Sequence, residues 1–253
     1  MRPVLFHIGD VSIPSFWAMA FLGFFVAFLV IRSEVLRRGY DITYAYDIVL
    51  YAYIGGWVGA RVFLIPTGWK YLMEDPFAFL FSSSGWVWYG GVIGGAVGVW
   101  LWGLLHQIPL RVLGDITAPA LAIGLAIGRI GCQLSGDGDY GGPTDLPWGM
   151  SYPNGVVPTT ERVHPAPVYE MIGSFAIFVY LWRRRSRPLP TGDQISRYLI
   201  LSSALRFTIE FVRRNPAWLV GLTTAQWMSV AAAALGAVVL MRQKKNGTAD
   251  ERR

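Results

Sequence analysis

Cysteine, histidine and charge are all scarce in this sequence. The single cysteine, Cys132, excludes an internal disulfide, and there is no cysteine and histidine cluster of the kind that binds zinc. No Gly-x-Ser-x-Gly, His-Glu-x-x-His or P-loop motif occurs either. Serine-hydrolase, metalloenzyme and nucleotide-binding functions therefore have no support, and we expect neither a metal nor a cofactor.

Long apolar stretches dominate the chain instead. Only 15% of the 253 residues are charged and 53% are hydrophobic, which is typical of membrane proteins. A helix that spans a bilayer needs about 20 mostly apolar residues. The sequence therefore predicts an all-α, polytopic membrane protein with about seven transmembrane helices, in one catalytic domain (1–241) followed by a basic cytoplasmic tail (242–253). The seven windows are 13–31, 45–65, 86–105, 113–132, 166–182, 196–212 and 223–241.

The basic residues predict the orientation, because they collect on the cytoplasmic side of membrane proteins. Seven spans place the termini on opposite sides. With a cytoplasmic C-terminus, most basic residues outside the spans, including the run 183–187, are cytoplasmic, and the other side holds Arg2, Lys70, Arg162, Arg213 and Arg214. We therefore expect an external N-terminus. The net charge of +6 then reflects topology and does not indicate nucleic-acid binding.

Two predicted outer segments are longer than simple connections. The segment 66–85 is rich in aromatic residues between polar ones, which favours a short helix in the membrane interface. The segment 136–165 is rich in glycine, proline and aspartate, which predicts an irregular, turn-rich loop.

Small residues recur in the second, third and fourth spans at intervals of three and four. Such glycines let helices approach closely in lipid, so close packing is the first interpretation. Gly90 and Gly91 are also candidates for letting a substrate approach the backbone. The full set is Gly55, Gly56, Gly59, Gly90, Gly91, Gly94, Gly95, Gly98, Gly124 and Gly128.

Three arginines, Arg61, Arg129 and Arg206, lie within predicted spans, where a cation costs about 2.5 to 3.5 kcal/mol. Arg206 and Glu210 are four residues apart and can pair on one helix face. Arg129 has no acidic neighbour before Asp137, so its expected partner is a distant carboxylate or an anionic ligand. Arg61 is either a third member of this site or a side chain that reaches the interface.

If the three arginines share a cavity, the site has an excess of positive charge and suits a phosphate, which guanidinium groups bind with paired hydrogen bonds. An ion or solute pathway is the alternative, although the internal repeat typical of transporters is not found.

The stretch 163–170 enters the fifth span and carries three further polar side chains. His164 is either a general base or a local structural contact, and Tyr169 lies beside Glu170. Glu170 needs a cationic partner inside the bilayer, for which the arginines are candidates. Cys132 is interpreted as a small packing residue.

These motifs resemble the prolipoprotein diacylglyceryl transferase family over nearly the whole chain. Members transfer the diacylglyceryl group of phosphatidylglycerol to the lipobox cysteine of prolipoprotein signal peptides, with release of glycerol phosphate, in the bacterial inner membrane. The resemblance implies that Arg129 and Arg206 are the essential arginines and that Glu170 and Glu210 orient them. The matching segments are GARVF (59–63), YGGVIGG (89–95), DITAPA (115–120), GRIGCQLSGDGDYG (128–141), HPAPVYE (164–170), LRFTIEFVRR (205–214) and Gln226.

The chain departs from the family pattern where proton transfer is expected. Tyr89 replaces a common histidine, Cys132 replaces an asparagine, and Asp137 stands near the place of a glutamate. The base that deprotonates the acceptor thiol is therefore Tyr89, Asp137, Glu210 or water. An anion transporter and a non-catalytic or divergent paralogue are the alternatives to the transferase.

Overall fold

The computed structural model describes residues 1–81 and 87–250. Within these residues the chain forms nine helices and two antiparallel hairpins. The helices are α1 (Ser15–Arg37), α2 (Thr43–Val62), α3 (Ile65–Glu74), α4 (Pro76–Phe81), α5 (Trp88–Leu105), α6 (Leu110–Ser135), α7 (Ala166–Arg184), α8 (Asp193–Glu210) and α9 (Thr224–Asp250). The strands are β1 (Val4–Ile8), β2 (Val11–Pro14), β3 (Met150–Tyr152) and β4 (Thr159–Val163).

A helix lies in each of the seven predicted windows. Among the described residues, three helical segments are long and apolar enough to cross a membrane, namely Ser15–Arg37, Leu110–Ser135 and Thr224–Gln243, and Tyr89–Leu105 is a shorter apolar helix. The fold is therefore mostly helical and has the character of a polytopic helical membrane protein.

The chain divides into two compact units. The first unit comprises Met1–Val30 and Gly114–Arg253, and the second comprises Ile31–Leu113.

Glycine packing holds α2 against α5 in the second unit. A Cβ atom built on Gly55 would collide with the carbonyl oxygen of Gly94, and one built on Gly59 would collide with that of Gly90. A Cβ atom on Gly98 would likewise meet the Tyr51 carbonyl oxygen. The predicted close packing is confirmed for these glycines, because their backbones touch with no room for a side chain.

Two side-chain caps fix helix ends in the first unit. Asp115 of α6 accepts hydrogen bonds from the backbone N–H groups of Gly192, at 2.6 Å, and Ile195, at 3.0 Å, so it caps the start of α8 from a distant part of the chain. Thr223 and Gln226 exchange side-chain hydrogen bonds with each other's backbone N–H groups at the start of α9. This capping box fixes the residue at which the loop after α8 ends and α9 begins.

The segment 136–165 differs from the irregular loop expected from its composition, because β3 and β4 form a hairpin within it. Tyr140, Tyr152 and Val163 pack as a small buried cluster beneath the hairpin, and this burial stabilises the strands. Gly136 and Gly138 have φ angles of 60° and 92°, which glycine adopts without strain, and they turn the chain out of α6.

The predicted helix in the aromatic segment 66–85 is present as α3 and α4. Trp69, Tyr71 and Phe77 expose their rings, as an interfacial helix requires. Residues 82–86 of that segment lie outside the described residues.

Candidate active site

Charged side chains from α6, α7, α8 and two loops meet at one end of the first unit. Arg129 lies near the end of α6, Glu170 lies near the start of α7, and Arg206 and Glu210 occupy the last turns of α8. Because α7 runs antiparallel to α6 and α8, the end of α6, the start of α7 and the end of α8 lie together.

Glu170 is the centre of this group. Its side chain is only 4% exposed, and its carboxylate forms ion pairs with Arg129 and with Arg206, the latter at 2.7 Å. Arg213 Nη1 lies 3.7 Å from Glu170 Oε1. The sequence-based expectation that Glu170 needs an arginine partner is met by arginines from two helices and a loop.

Glu210 is held by more donors than any other acid in the group. It pairs with Arg206 at 2.9 Å, as their spacing of four residues predicted, and it lies 3.9 Å from Arg213 Nε. Asn215 Nδ2 and Thr223 Oγ1 donate to Glu210 Oε1 at 2.7 and 2.8 Å. Oε1 therefore accepts two hydrogen bonds, and Oε2 is held by ion pairs with Arg206 and Arg213.

Asp139 joins two of the arginines from the loop after α6. Its Oδ2 pairs with Arg129 Nη1, and its Oδ1 accepts a hydrogen bond from Arg213 Nη2 at 2.5 Å. Burial by itself raises the pKa of Asp139, but the two guanidinium groups outweigh it and hold this pKa below the ordinary value. At 33% exposure, Asp139 is the most accessible carboxylate of the group.

These contacts balance the charge of the site. Arg129, Arg206 and Arg213 face Asp139, Glu170 and Glu210, so the group described here has as many carboxylates as arginines. Sequence reasoning expected an excess of positive charge. The difference arises because Asp139, which was not among the predicted site residues, pairs with Arg129.

Asp137 and Cys132 lie beside this network. Burial raises the pKa of Asp137 above its usual range. Cys132 is buried, and its sulfur lies 3.6 Å from Arg129 Nη1. Ligand atoms of Cys132, Asp137 and Asp139 lie within 4.8 Å of one another, a spacing that a metal ion could use, but the two guanidinium groups on Asp139 oppose a cation there.

His164 and Tyr169 form a separate chain of contacts. His164 Nδ1 lies 3.3 Å from the Tyr169 hydroxyl, and Trp148 Nε1 donates to that hydroxyl at 2.8 Å. The stretch before β3 is thereby tied to the start of α7. This geometry is the structural contact that the sequence offered as one of two interpretations of His164.

Four other residues predicted for the site belong to the second unit. The Arg61 side chain of α2 is 2% exposed. Tyr89 and Gly91 lie in the first turn of α5, and Gly90 packs its backbone against the Gly59 carbonyl and Phe63.

Two members of the network, Asp139 and Arg213, are absent from the predicted site. Arg213 follows Arg206 by seven residues and Glu210 by three, so helical spacing predicts the same face for all three. The sequence analysis counted Arg213 instead among the basic residues outside the spans. Asp139 follows two glycine turns, and no local periodicity indicates where such a residue points.

The helices and the buried ionic site together define a membrane protein with a polar reaction or binding centre. Comparison with known proteins identifies it further. The sequence profile of the family described as prolipoprotein diacylglyceryl transferase matches residues 3–242, and the chain belongs to this family. The resemblance found in the motifs is confirmed, and with it the transferase class.

Curated relatives cover nearly the whole chain. A Clostridium perfringens protein named phosphatidylglycerol–prolipoprotein diacylglyceryl transferase 2 is 33% identical over 233 residues, which is 91% of each chain. A Clostridium tetani protein with the corresponding name is 31% identical, covering 94% of this chain and 96% of the relative. A Dehalococcoides mccartyi protein with that name is 31% identical, covering 98% and 96%.

Proposed function

We propose that this chain transfers the diacylglyceryl group of phosphatidylglycerol to the lipobox cysteine of prolipoprotein signal peptides. The products are a thioether-linked lipid and glycerol phosphate, and the reaction takes place in the bacterial inner membrane. The observation that carries the proposal is the Asp139 carboxylate, which bridges Arg129 and Arg213 in the way that a phosphate does.

Asp139 is the carboxylate best suited to give way to a lipid phosphate. Glu170 and Glu210 lie on helices and are 4% and 0% exposed, whereas Asp139 lies on a loop and is 33% exposed. Removing either buried acid leaves an uncompensated cation, which is costly. A phosphate that displaces Asp139 keeps Arg129 and Arg213 neutralised, so binding is an exchange of anions.

In the transfer step, the sulfur of the acceptor cysteine attacks the glycerol carbon that bears the phosphate. A carbon–sulfur bond forms, the carbon–oxygen bond to phosphate breaks, and the bonding electrons leave with glycerol phosphate. Arg129 and Arg206 stabilise the negative charge that develops on the leaving group in a site largely shielded from water. Glu170 fixes the spacing of these two arginines because it pairs with both.

Asp137 is our proposed base for the acceptor thiol. The oxygens of Glu210 are engaged by Arg206, Asn215 and Thr223, so they are poorly placed to take a proton. The raised pKa of Asp137 makes it a stronger base than an ordinary aspartate, and its carboxylate already lies near a thiol, that of Cys132. Tyr89 and water are the alternatives.

Other predicted residues are proposed to bind substrate. We assign His164 and Tyr169 to the acceptor peptide, since they contact each other directly before Glu170 in the sequence. Arg61, Gly90 and Gly91 are proposed lipid contacts.

The proposed topology has seven spans, formed by α1, α2, α5, α6, α7, α8 and α9, in a single catalytic domain (1–241) with a cytoplasmic tail (242–253). Three of these helices have the length and composition of spans by themselves. The basic run 183–187 at the end of α7 supports a cytoplasmic position for that end. The ionic site at the start of α7 then faces the outer leaflet.

The proposal is tested with purified protein, phosphatidylglycerol and a lipobox peptide, by following conversion of the peptide thiol to a thioether. Arg129→Ala and Arg206→Ala are expected to lose activity by about 100-fold or more. Arg162→Ala is the matched control, because Arg162 binds only backbone carbonyls of Leu146 and Pro147 among the contacts described. No conversion by folded wild-type protein would overturn the proposal.

Complementation of a strain depleted of its own transferase tests the same activity in cells. Wild type and Arg162→Ala should support growth, and the two site variants should not. Flux of an anion into sealed vesicles without any acceptor peptide would favour the transporter alternative.

A further inference from the structure

A cleft at the opposite end of the first unit collects arginines that the proposed reaction does not use. It has a volume of about 390 Å³ and lies at the end of α7 and the turn that follows. Gln243 of α9 reaches the turn after α7, where it donates a hydrogen bond to the Thr191 carbonyl at 3.0 Å. The residues that line the cleft are Ala176, Val179, Tyr180, Arg183, Arg184 and Arg187.

The positive charge of this cleft is only partly compensated. Asp193 pairs with Arg184 at 3.4 Å and with Arg197 at 2.8 Å, so one carboxylate serves two arginines. Arg183 and Arg187 are exposed and form no ion pair with any residue whose side chain the structure describes. Because both arginines line the same cleft without a carboxylate partner among the described side chains, the cleft favours an anion.

The remaining cleft residues indicate what kind of anion binds. Ala176 and Val179 extend the cleft along α7 with an apolar surface. The Tyr180 hydroxyl accepts a hydrogen bond from Arg197 Nη1 at 3.1 Å, which leaves its own hydrogen for an acceptor. A free anion uses only the basic end of such a cleft, whereas a phospholipid matches the basic end with its phosphate and the apolar end with an acyl chain.

We propose that this cleft binds the phosphate of an anionic phospholipid in the leaflet on the C-terminal side of the protein. Arg183 and Arg187 bind the phosphate, and one acyl chain lies along Ala176 and Val179. This lipid is separate from the substrate, because Glu170 of the ionic site lies at the other end of the same helix. The inference does not depend on the transferase activity.

Photolabelling of the full chain in phosphatidylcholine nanodiscs tests the site. The probe is phosphatidic acid with a photoactivatable acyl chain, and labelled positions are mapped by peptide mass spectrometry. Label is expected in 176–187 of the wild type and to fall about tenfold in the double variant R183Q/R187Q. R185Q is the matched control, because Arg185 belongs to the same basic run but stacks on Trp182, at 3.3 Å from the ring centroid, and does not line the cleft.

Two further arms separate the possible sources of the anion. Photoactivatable phosphatidylcholine should label 176–187 weakly, and excess inorganic phosphate should leave the phosphatidic acid label in place. Equal labelling by phosphatidylcholine, full displacement by inorganic phosphate, or undiminished labelling of R183Q/R187Q each overturns the proposal.

Thermal unfolding of each preparation checks its fold, and the single variant R187Q, altered in the turn beyond α7, repeats the test with a smaller change. Transfer activity is measured on the same samples and is expected to remain near the wild-type level in R183Q/R187Q. If the wild-type protein is labelled but shows no transfer activity, the result counts against the proposed function and leaves the lipid site standing.

Discussion

Arg206 Nη1 lies 2.7 Å from Glu170 Oε1, a contact that joins α8 to α7 across 36 positions of the sequence. The other oxygen of Glu170 pairs with Arg129 of α6. One buried carboxylate therefore sets the distance between two arginines that reach the site from different helices. The geometry of the site depends on this acid as much as on the arginines themselves.

Replacing Glu170 with glutamine is expected to lower both activity and stability. The amide cannot neutralise Arg129 and Arg206, and breaking a buried ion pair in this way costs about 3 to 5 kcal/mol. We expect the transfer rate to fall about 100-fold or more and the midpoint of thermal unfolding to drop. Glu161→Gln is the control, since Glu161 is exposed and pairs only with Arg214, at 3.3 Å, among the contacts described. Equal effects of the two substitutions would contradict the central role of Glu170.

Asp139→Asn is expected to strengthen the binding of phosphatidylglycerol. If Asp139 occupies the place of the lipid phosphate, removing its charge frees Arg129 and Arg213, and the KM for phosphatidylglycerol should fall by about threefold or more. Stability at neutral pH should decrease, because an aspartate with a lowered pKa stabilises the fold above its ordinary pKa and ceases to do so as the pH falls through the folded value. Steady-state kinetics at several lipid concentrations measure the first effect. A raised KM would show that Asp139 supports the phosphate site.

The pH dependence of transfer tests the role of Asp137. A base must be deprotonated, and burial raises the pKa of this carboxyl, so activity should fall on the acidic side at a pH above the ordinary range of an aspartate. Asp137→Asn should abolish most activity. Asp137→Glu should retain part of it, and the pH at which its activity falls on the acidic side should shift. Rates measured across the pH range with a saturating peptide give this profile. An unchanged profile in Asp137→Asn would assign the proton to Tyr89 or to water.

Gly94→Ala and Gly91→Ala form a matched pair on α5. A Cβ atom at Gly94 would collide with the Gly55 carbonyl oxygen and with the Gly59 Cα, the latter at 2.7 Å, whereas one at Gly91 meets the Gly56 carbonyl oxygen at an ordinary 3.7 Å. We expect Gly94→Ala to lower the thermal midpoint, with a cost of about 1 to 3 kcal/mol from overpacking, and Gly91→Ala to leave it nearly unchanged. A raised KM in a stable Gly91→Ala protein would support the proposed lipid contact at Gly91. Equal destabilisation by the two substitutions would contradict the packing of α2 on α5.

The sequence predicted the helices well because their signal is local. A long apolar run bounded by polar residues specifies a helix in lipid without knowledge of its neighbours. The pair Arg206 and Glu210 was predictable for the same reason, since residues four apart on a helix must share a face. The close packing at the glycines was also readable, because backbone contact between helices requires small residues at regular intervals.

Contacts made through loops were not predictable in this way. Asp139 reaches Arg129 after two glycine turns whose backbone angles leave no periodic trace in the sequence. The hairpin of β3 and β4 is short, and its strands are held by Tyr140, Tyr152 and Val163 from three separate stretches of the loop. The charge balance of the site followed from these long-range contacts and so differed from the expected positive excess.

The donors around Glu210 have a mechanical consequence. Asn215 and Thr223 both bind Glu210 Oε1, so the connection between α8 and α9 is fastened near its two ends to a single carboxylate. Between these anchors, Trp218 and Val220 project with 71% and 83% of their surface exposed. A displacement of Glu210 would therefore move both anchors, and the exposed loop between them would respond to changes in the ionic site.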